Sequence, residues 1–296
     1  MRLKVGKGEA HGTFGELLQG VLPSGQDFLV TFPVDRYSTC QFVYSAQDED
    51  LCVHPSWKRK SLYFGQRILD YYHLPIKGTL YLESQLQQGK GLASSTADMM
   101  ATVKAIESCY DINVPTEVIE EILRDIEPSD GIMYPGIVSY YHKEVKLREW
   151  IGECPPLTVI ALDEGGEVNT VDFNCKPKPF TDEEKQEYGM LLEKITAAIR
   201  AQDAEAIGEV ATRSAELNQK LHPKKMFAEV KRICRSIEGT GIVTAHSGTF
   251  IGILLSENDS AYSEKVKEGL SLLKQLGCPT EIFYSMSTIE RKKVLV

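Results

Sequence analysis

The sequence predicts an α+β protein in two domains, and three observations carry that reading. A strand over 79–83 runs into a glycine-punctuated turn, Gly89-Lys90-Gly91, and then into an apolar helix reaching about residue 109. From residue 157 onward, hydrophobic periodicity gives strand, helices, strand, strand, helix, strand. Treating the first helices as one insert, that order is the split βαβ pattern of a ferredoxin-like domain. Pro155-Pro156 separates the halves, so the boundaries are 1–155 and 156–296.

Composition narrows the function classes. The chain has 296 residues, 42% hydrophobic and 25% charged, which suffices for two domains. With 33 basic and 42 acidic side chains the formal charge is -9, a poor balance for binding nucleic acid. The first seven residues lack the apolar core of a signal peptide, and no apolar run approaches the roughly 18 residues of a membrane span. Seven scattered cysteines (40, 52, 109, 154, 175, 234, 278) without a C-x-x-C pair read as free thiols in a reducing compartment, not a zinc site. The expectation is a cytoplasmic protein acting on small molecules, with no nucleic-acid or membrane partner.

The elements follow in order. His11 to Gly20 reads as a glycine-punctuated turn holding Leu17 and Leu18, and Pro23-Ser24-Gly25 as a second turn. Strands are expected at 28–32 and 37–45, with Asp35-Arg36 as a hairpin turn between them. A helix over 61–74 has Leu62, Ile68, Leu69 and Tyr72 on one face. A second, over 115–126, places Pro115 in its first turn and stripes Val118, Ile119, Ile122, Leu123 and Ile126. Glu117, Glu120 and Glu121 fall off that stripe and read as a solvated face. A hairpin is expected at 136–141 and 144–147. Beyond Pro156 come a strand at 157–162, a Lys/Pro-rich linker at 176–180, and helices at 181–200, 204–217 and 224–237. Strands at 242–245 and 250–255, a helix at 260–276 and a strand at 280–284 complete the chain. Thr181 and Glu184 form a capping box for the first of these helices.

The stretch 89–97 carries the chemistry. Its glycines permit a tight backbone path. Either Ser94 or Ser95 can cap the following helix by accepting an N–H. The remaining N–H groups and the helix dipole then form an anion site, for which phosphate is the obvious occupant. The plain alternative is an ordinary cap and turn. It is not a Walker loop, since no Lys-Ser/Thr pair follows a second glycine at the required spacing. Lys90 reads as a solvated loop lysine. A second singular feature is Glu127-Pro128-Ser129-Asp130. The dipole disfavours Glu at a helix C-terminus, yet two carboxylates sit here between apolar segments.

Gly91-Leu92, Ser94-Ser95 and Ala97 resemble the second motif of the GHMP kinases, P-x-x-x-G-L-G-S-S-A-A. Ala93, Thr96 and Gln87 stand where that motif has glycine, alanine and proline. The block from Gly15 to Gly20, with Pro33-Val34-Asp35 and Tyr37-Ser38-Thr39, is similar to the first motif of the L-threonine kinases of cobalamin synthesis. Thr244 to Thr249 lies where the family's glycine-rich third motif sits, with His246 read as a structural hydrogen bonder.

The resemblance implies an N-terminal α+β domain with a left-handed βαβ crossover, joined to a ferredoxin-like domain. It implies ATP and Mg²⁺, with ATP on Gly89, Lys90, Gly91, Leu92, Ala93, Ser94, Ser95, Thr96, Ala97, Ser247 and Gly248. Asp130 is then the catalytic residue. The metal falls to Ser94 or Ser95 with Glu127, or by spacing Glu121. Thr13, Gly15, Glu16, Asp35 and Arg36 are the candidates for the acceptor. The implied acceptor is L-threonine; the rivals are another small alcohol such as homoserine, or a non-catalytic binding protein on the same fold.

Overall fold

The computed structural model describes residues 3–168, 173 and 177–286; Lys176 of the expected linker lies outside them, as does Cys175 of the expected free thiols. β1 (Lys4–Val21) and β2 (Asp27–Tyr44) form a long antiparallel hairpin. Two expected turns are corrected here. The glycine-rich run from His11 to Gly20 is strand, with register shifts after His11, Thr13 and Glu16. Bulges use glycine as turns do, so glycine punctuation alone does not separate them. Asp35-Arg36 is also strand, and β2 runs straight through it. The turn is at Pro23-Ser24-Gly25, where the Gly25 N–H donates to Leu22 O at 2.8 Å.

β3 (Leu51–His54) is too short for periodicity to flag. It runs parallel to β4 (Gly78–Ser84), the two being joined by α1 (Arg59–Tyr71), and β4 continues the sheet from β2. α2 (Ser94–Tyr110) is buried almost all round and lies across β1 and β2. Its approach depends on Gly6 and Gly8, which share one face of β1. A Cβ on Gly6 would lie 2.0 Å from Ala105 O, and one on Gly8 2.2 Å from Ala101 O. α3 (Thr116–Arg124) buries its apolar stripe. Glu120 was expected in solvent but is buried, accepting from the Tyr134 and Tyr140 hydroxyls at 2.9 and 3.0 Å. A lone Glu at the stripe's edge gives no sign of two tyrosines arriving from another element. β5 (Ile137–Tyr141) pairs with β2 and with β6 (Lys146–Gly152).

After residue 156 come β7 (Leu157–Asp163), α4 (Asp182–Ala201), α5 (Ala204–Asn218), α6 (Phe227–Ser236), β8 (Gly241–Thr244), β9 (Phe250–Ser256), α7 (Tyr262–Lys274) and β10 (Thr280–Tyr284). Their order in the sheet is β10-β7-β9-β8, all antiparallel, which is the fourth-first-third-second order of a ferredoxin-like sheet. The capping box at Thr181 and Glu184 forms as expected. The 155/156 boundary falls between β6 and β7. One register pair, Glu16 with Thr244, joins β8 to β1, so a single sheet runs through both halves. α5 strengthens that seam, its Ser214 Oγ accepting the Gln19 N–H at 3.2 Å. Among the described residues, no helix is long and apolar enough to cross a membrane.

Because a side chain on Gly8 meets backbone rather than a flexible tip, α2 cannot dock beside it. Gly8→Val should destabilise the protein by about 3 kcal/mol or more, the upper end for overpacking. Urea unfolding checks this; a loss under about 1 kcal/mol would mean that α2 does not rest on that face.

Candidate active site

The loop before α2 is held by its carbonyls. Gly89, Lys90, Gly91 and Leu92 each accept a backbone N–H, from Val168, Thr249, Gly15 and Thr13 at 2.9, 3.2, 2.9 and 3.2 Å. Gly89, Gly91 and Ala93 have φ of +69°, +78° and +56°. This winding leads into α2, whose first intrahelical bond is Ala97 N–H to Ala93 O at 2.9 Å. The N–H groups of Ser94, Ser95 and Thr96 therefore lack intrahelical partners. They stand at the positive end of a buried helix.

The expected serine cap is absent. The N-cap is Ala93 in the left-handed region, with no side-chain cap bond. The first-turn side chains reach outward instead. Ser94 Oγ donates to Leu86 O at 2.8 Å. Ser95 Oγ donates to Glu127 Oε1. Thr96 Oγ1 donates to Asp130 Oδ2 at 3.3 Å. Asp98 pairs with Lys58 and accepts from Ser38. One helical turn thus gathers two carboxylates and a lysine. These groups border a cleft of about 640 Å³.

Charge is concentrated there. Glu127 is buried and pairs with Lys60. Asp130 is half-buried, and its carboxyl is pushed up to about 7, by burial first and then by the Glu16 and Glu127 carboxylates, against the Thr96 hydroxyl. Burial likewise raises Asp98, against the Lys58 ammonium. Glu16 accepts from the His246 backbone N–H at 3.2 Å, and His246 Nδ1 lies 2.8 Å from its Oε2. His246 Nε2 lies 2.8 Å from Ser214 Oγ, so this histidine is a buried structural group.

Several expected site residues line the cleft: Gly89, Gly91 to Thr96, Glu16, Glu127, Asp130 and Ser247. Others do not. Ala97 is wholly buried in the core. Thr13 and Gly15 support the loop through their backbone. Gly248 packs on it, since a Cβ there would lie 2.0 Å from Lys90 O. Lys90 is not a solvated lysine; it pairs with Asp163 at 2.6 Å and pins the loop to the end of β7. Asp35 and Arg36, expected at the acceptor, do not line the cleft. Arg36 Nη2 donates to Ile282 O at 2.6 Å and Asp35 Oδ1 accepts from the Tyr284 N–H at 3.0 Å, so the pair fastens β2 to β10. Glu121, the alternative drawn from spacing, is exposed on α3 and does not line the cleft.

Sequence reasoning missed the basic run Lys58-Arg59-Lys60, which lines the same cleft. A signal was present. Cations at a helix N-terminus oppose the dipole, and this run sits where α1 begins.

Known proteins supply the context. Residues 62–137 match the family model for the GHMP kinases N terminal domain. The chain is 26% identical over 249 residues to an L-threonine kinase of Citrobacter freundii, covering 82% of this chain and 84% of that one. It is 26% identical over 249 residues to an L-threonine kinase of Salmonella typhimurium (strain LT2), covering 81% and 80%. The solved homoserine kinase of Cytophaga hutchinsonii superposes with a TM-score of 0.71 at 16% identity, over 96% of this chain and 95% of that one.

Asp130 also makes stability depend on pH. Its carboxyl keeps its proton in the native state from about 4 to about 7, where the unfolded chain has released it. The stability it contributes is present below about 4 and lost as pH rises through about 7. His142, pushed down from 6.5 to about 3 by burial and then by Lys178 and Lys143, has the opposite slope. Comparing Asp130→Asn with the unaltered protein isolates the carboxylate. The variant should melt higher at pH 8, with the gap closing toward pH 5; a gap independent of pH would contradict the buried, crowded carboxyl.

Proposed function

We propose an acceptor and a metal for what is a GHMP-type kinase, an ATP-dependent small-molecule phosphotransferase: the acceptor is the hydroxyl of L-threonine, and the metal is Mg²⁺. The convergence of Asp130 and Glu127 on the first turn of α2 carries the chemistry. The likeness to two L-threonine kinases over most of the chain supports the acceptor. The product would be O-phospho-L-threonine, the precursor implied for the aminopropanol linker of cobalamin.

In this reading the ATP phosphates lie against the free N–H groups of Ser94, Ser95 and Thr96, with Lys58, Arg59 and Lys60 in the same cleft. The acceptor oxygen attacks the γ-phosphorus as the bond to the bridging oxygen breaks, and ADP leaves. Asp130 takes the hydroxyl proton. A carboxyl near 7 suits that role at neutral pH. The rest is positioning and charge stabilisation.

Ser95 and Glu127 fit Mg²⁺, being adjacent hard oxygen donors. Ser94 fits less well, since its hydroxyl bonds Leu86 O. Among the described residues no three His, Cys, Asp or Glu form a metal cage. Mg²⁺ held by one or two carboxylates and substrate phosphates needs none. When bound, the ion neutralises charge on the phosphates.

The deciding assay is ADP release with Mg²⁺-ATP and L-threonine, L-serine, L-homoserine or mevalonate. Turnover should be fastest with L-threonine; a faster rate with another member overturns the acceptor. Asp130→Asn should lower kcat by about 10²- to 10⁴-fold, the range for a general base, at unchanged ATP affinity. Equal loss of both would make Asp130 structural. Ser95→Ala and Glu127→Gln should raise the Mg²⁺ concentration giving half-maximal rate, and an unchanged value would take them out of the metal site.

A further inference from the structure

Part of the cleft wall carries buried polar atoms that bond nothing. Gln19 Oε1, Ser129 Oγ and both ring nitrogens of His142 have no hydrogen-bond partner. All three residues line the cleft. They are 6%, 1% and 2% exposed. Buried polar atoms are costly to leave unpaired and seldom are. Three such residues on one wall point to a ligand that completes them.

The sheet register explains their convergence. Gln19 lies opposite Leu29 across β1 and β2, and Leu29 opposite Tyr140 across β2 and β5. Residues directly opposed share a face of the sheet, and His142 stands in the turn one residue beyond the end of β5. Ser129 is tied to this row by its N–H, which donates to His142 O at 3.1 Å. It is also the residue before Asp130. Ser129 thus ties this row to the segment of chain that carries Asp130.

The surroundings carry both signs of charge. Glu16 lines the same cleft. The Lys178 side chain is 9% exposed, and its partner Asp27 is no closer than 3.9 Å. His142 sits near Lys178 and Lys143 and is neutral at pH 7, so it offers one N–H and one free nitrogen.

We infer that Gln19, Ser129 and His142 form the head-group pocket for an amino-acid acceptor. Gln19 Oε1 accepts from its ammonium, and Ser129 Oγ and the His142 N–H donate to its carboxylate. This rests on the kinase reading above and adds the residues that distinguish an amino acid from another small alcohol. An acceptor without the ammonium leaves Gln19 unpaired. A site built to hydrogen-bond a group rejects analogues lacking it strongly, by about 10⁴-fold in favourable cases.

The test compares L-threonine, L-serine, L-homoserine, mevalonate and 3-hydroxybutyrate (L-threonine without its ammonium) by ADP release and by acceptor-induced shifts in Tm. The protein should prefer its best amino acid over 3-hydroxybutyrate by at least about 100-fold in kcat/KM. Gln19→Met keeps the length and removes the amide. It should raise KM for the amino acid about tenfold or more, shrink that preference, and leave KM for ATP unchanged. Its Tm without acceptor should be no lower than that of the unaltered protein, since an unpaired polar atom is gone; a structural glutamine would lower it. Ser129→Ala should also raise the amino-acid KM, and it serves if Gln19→Met does not fold. Unchanged KM and preference in the variants overturn the pocket, even with L-threonine the best acceptor. L-homoserine as best acceptor overturns the L-threonine reading and leaves the pocket standing if the variants lose the preference. The absence of both turnover and a Tm shift with every amino acid tested overturns the pocket outright.

Discussion

The site depends on how the loop before α2 disposes of its carbonyls. Four consecutive carbonyls turn into the protein and accept N–H groups from β1, the β8–β9 loop and Val168. With those acceptors satisfied, the N–H groups at the start of α2 are left for a ligand. Lys90 reinforces the anchor through Asp163, which also accepts from Thr249. Gly248 lets the β8–β9 loop lie directly on Lys90 and Gly91. The loop is therefore fixed from both halves of the chain. That rigidity is what a phosphate cradle requires.

A second constraint is charge. Glu16, Glu127 and Asp130 lie close enough for the first two to raise the third. Each carboxylate has its own answer. Glu127 has Ser95 and Lys60, Glu16 has His246, and Asp130 has little more than the Thr96 hydroxyl. The least satisfied group, Asp130, is the one whose carboxyl is pushed up to about 7.

Much of the fold was legible in the sequence because periodicity reports burial. The apolar run of α2, the stripe of α3 and the capping box of α4 all lie within a few residues of expectation. Glycine misled where a bulged strand and a turn share it, from His11 to Gly20. In the site, Ser95, Glu127 and Asp130 came from local motifs that the fold brings together. Asp35 and Arg36 lie away from the cleft and bond β10, since an Asp-Arg pair reads alike whether it meets a ligand or another strand. Gln19 and His142 were invisible, since their placement depends on register across three strands. Ala93 is instructive. It replaces the motif's glycine, yet keeps a φ of +56°. Left-handed geometry costs alanine about 1–2 kcal/mol, so the surrounding loop imposes it.

The most direct test of this account is a crystal structure with Mg²⁺, a non-hydrolysable ATP analogue and L-threonine. It should place the β- and γ-phosphates within hydrogen-bond reach of the Ser94, Ser95 and Thr96 N–H groups, and the threonine hydroxyl against Asp130. Phosphates bound away from the start of α2, or a hydroxyl turned away from Asp130, would contradict it.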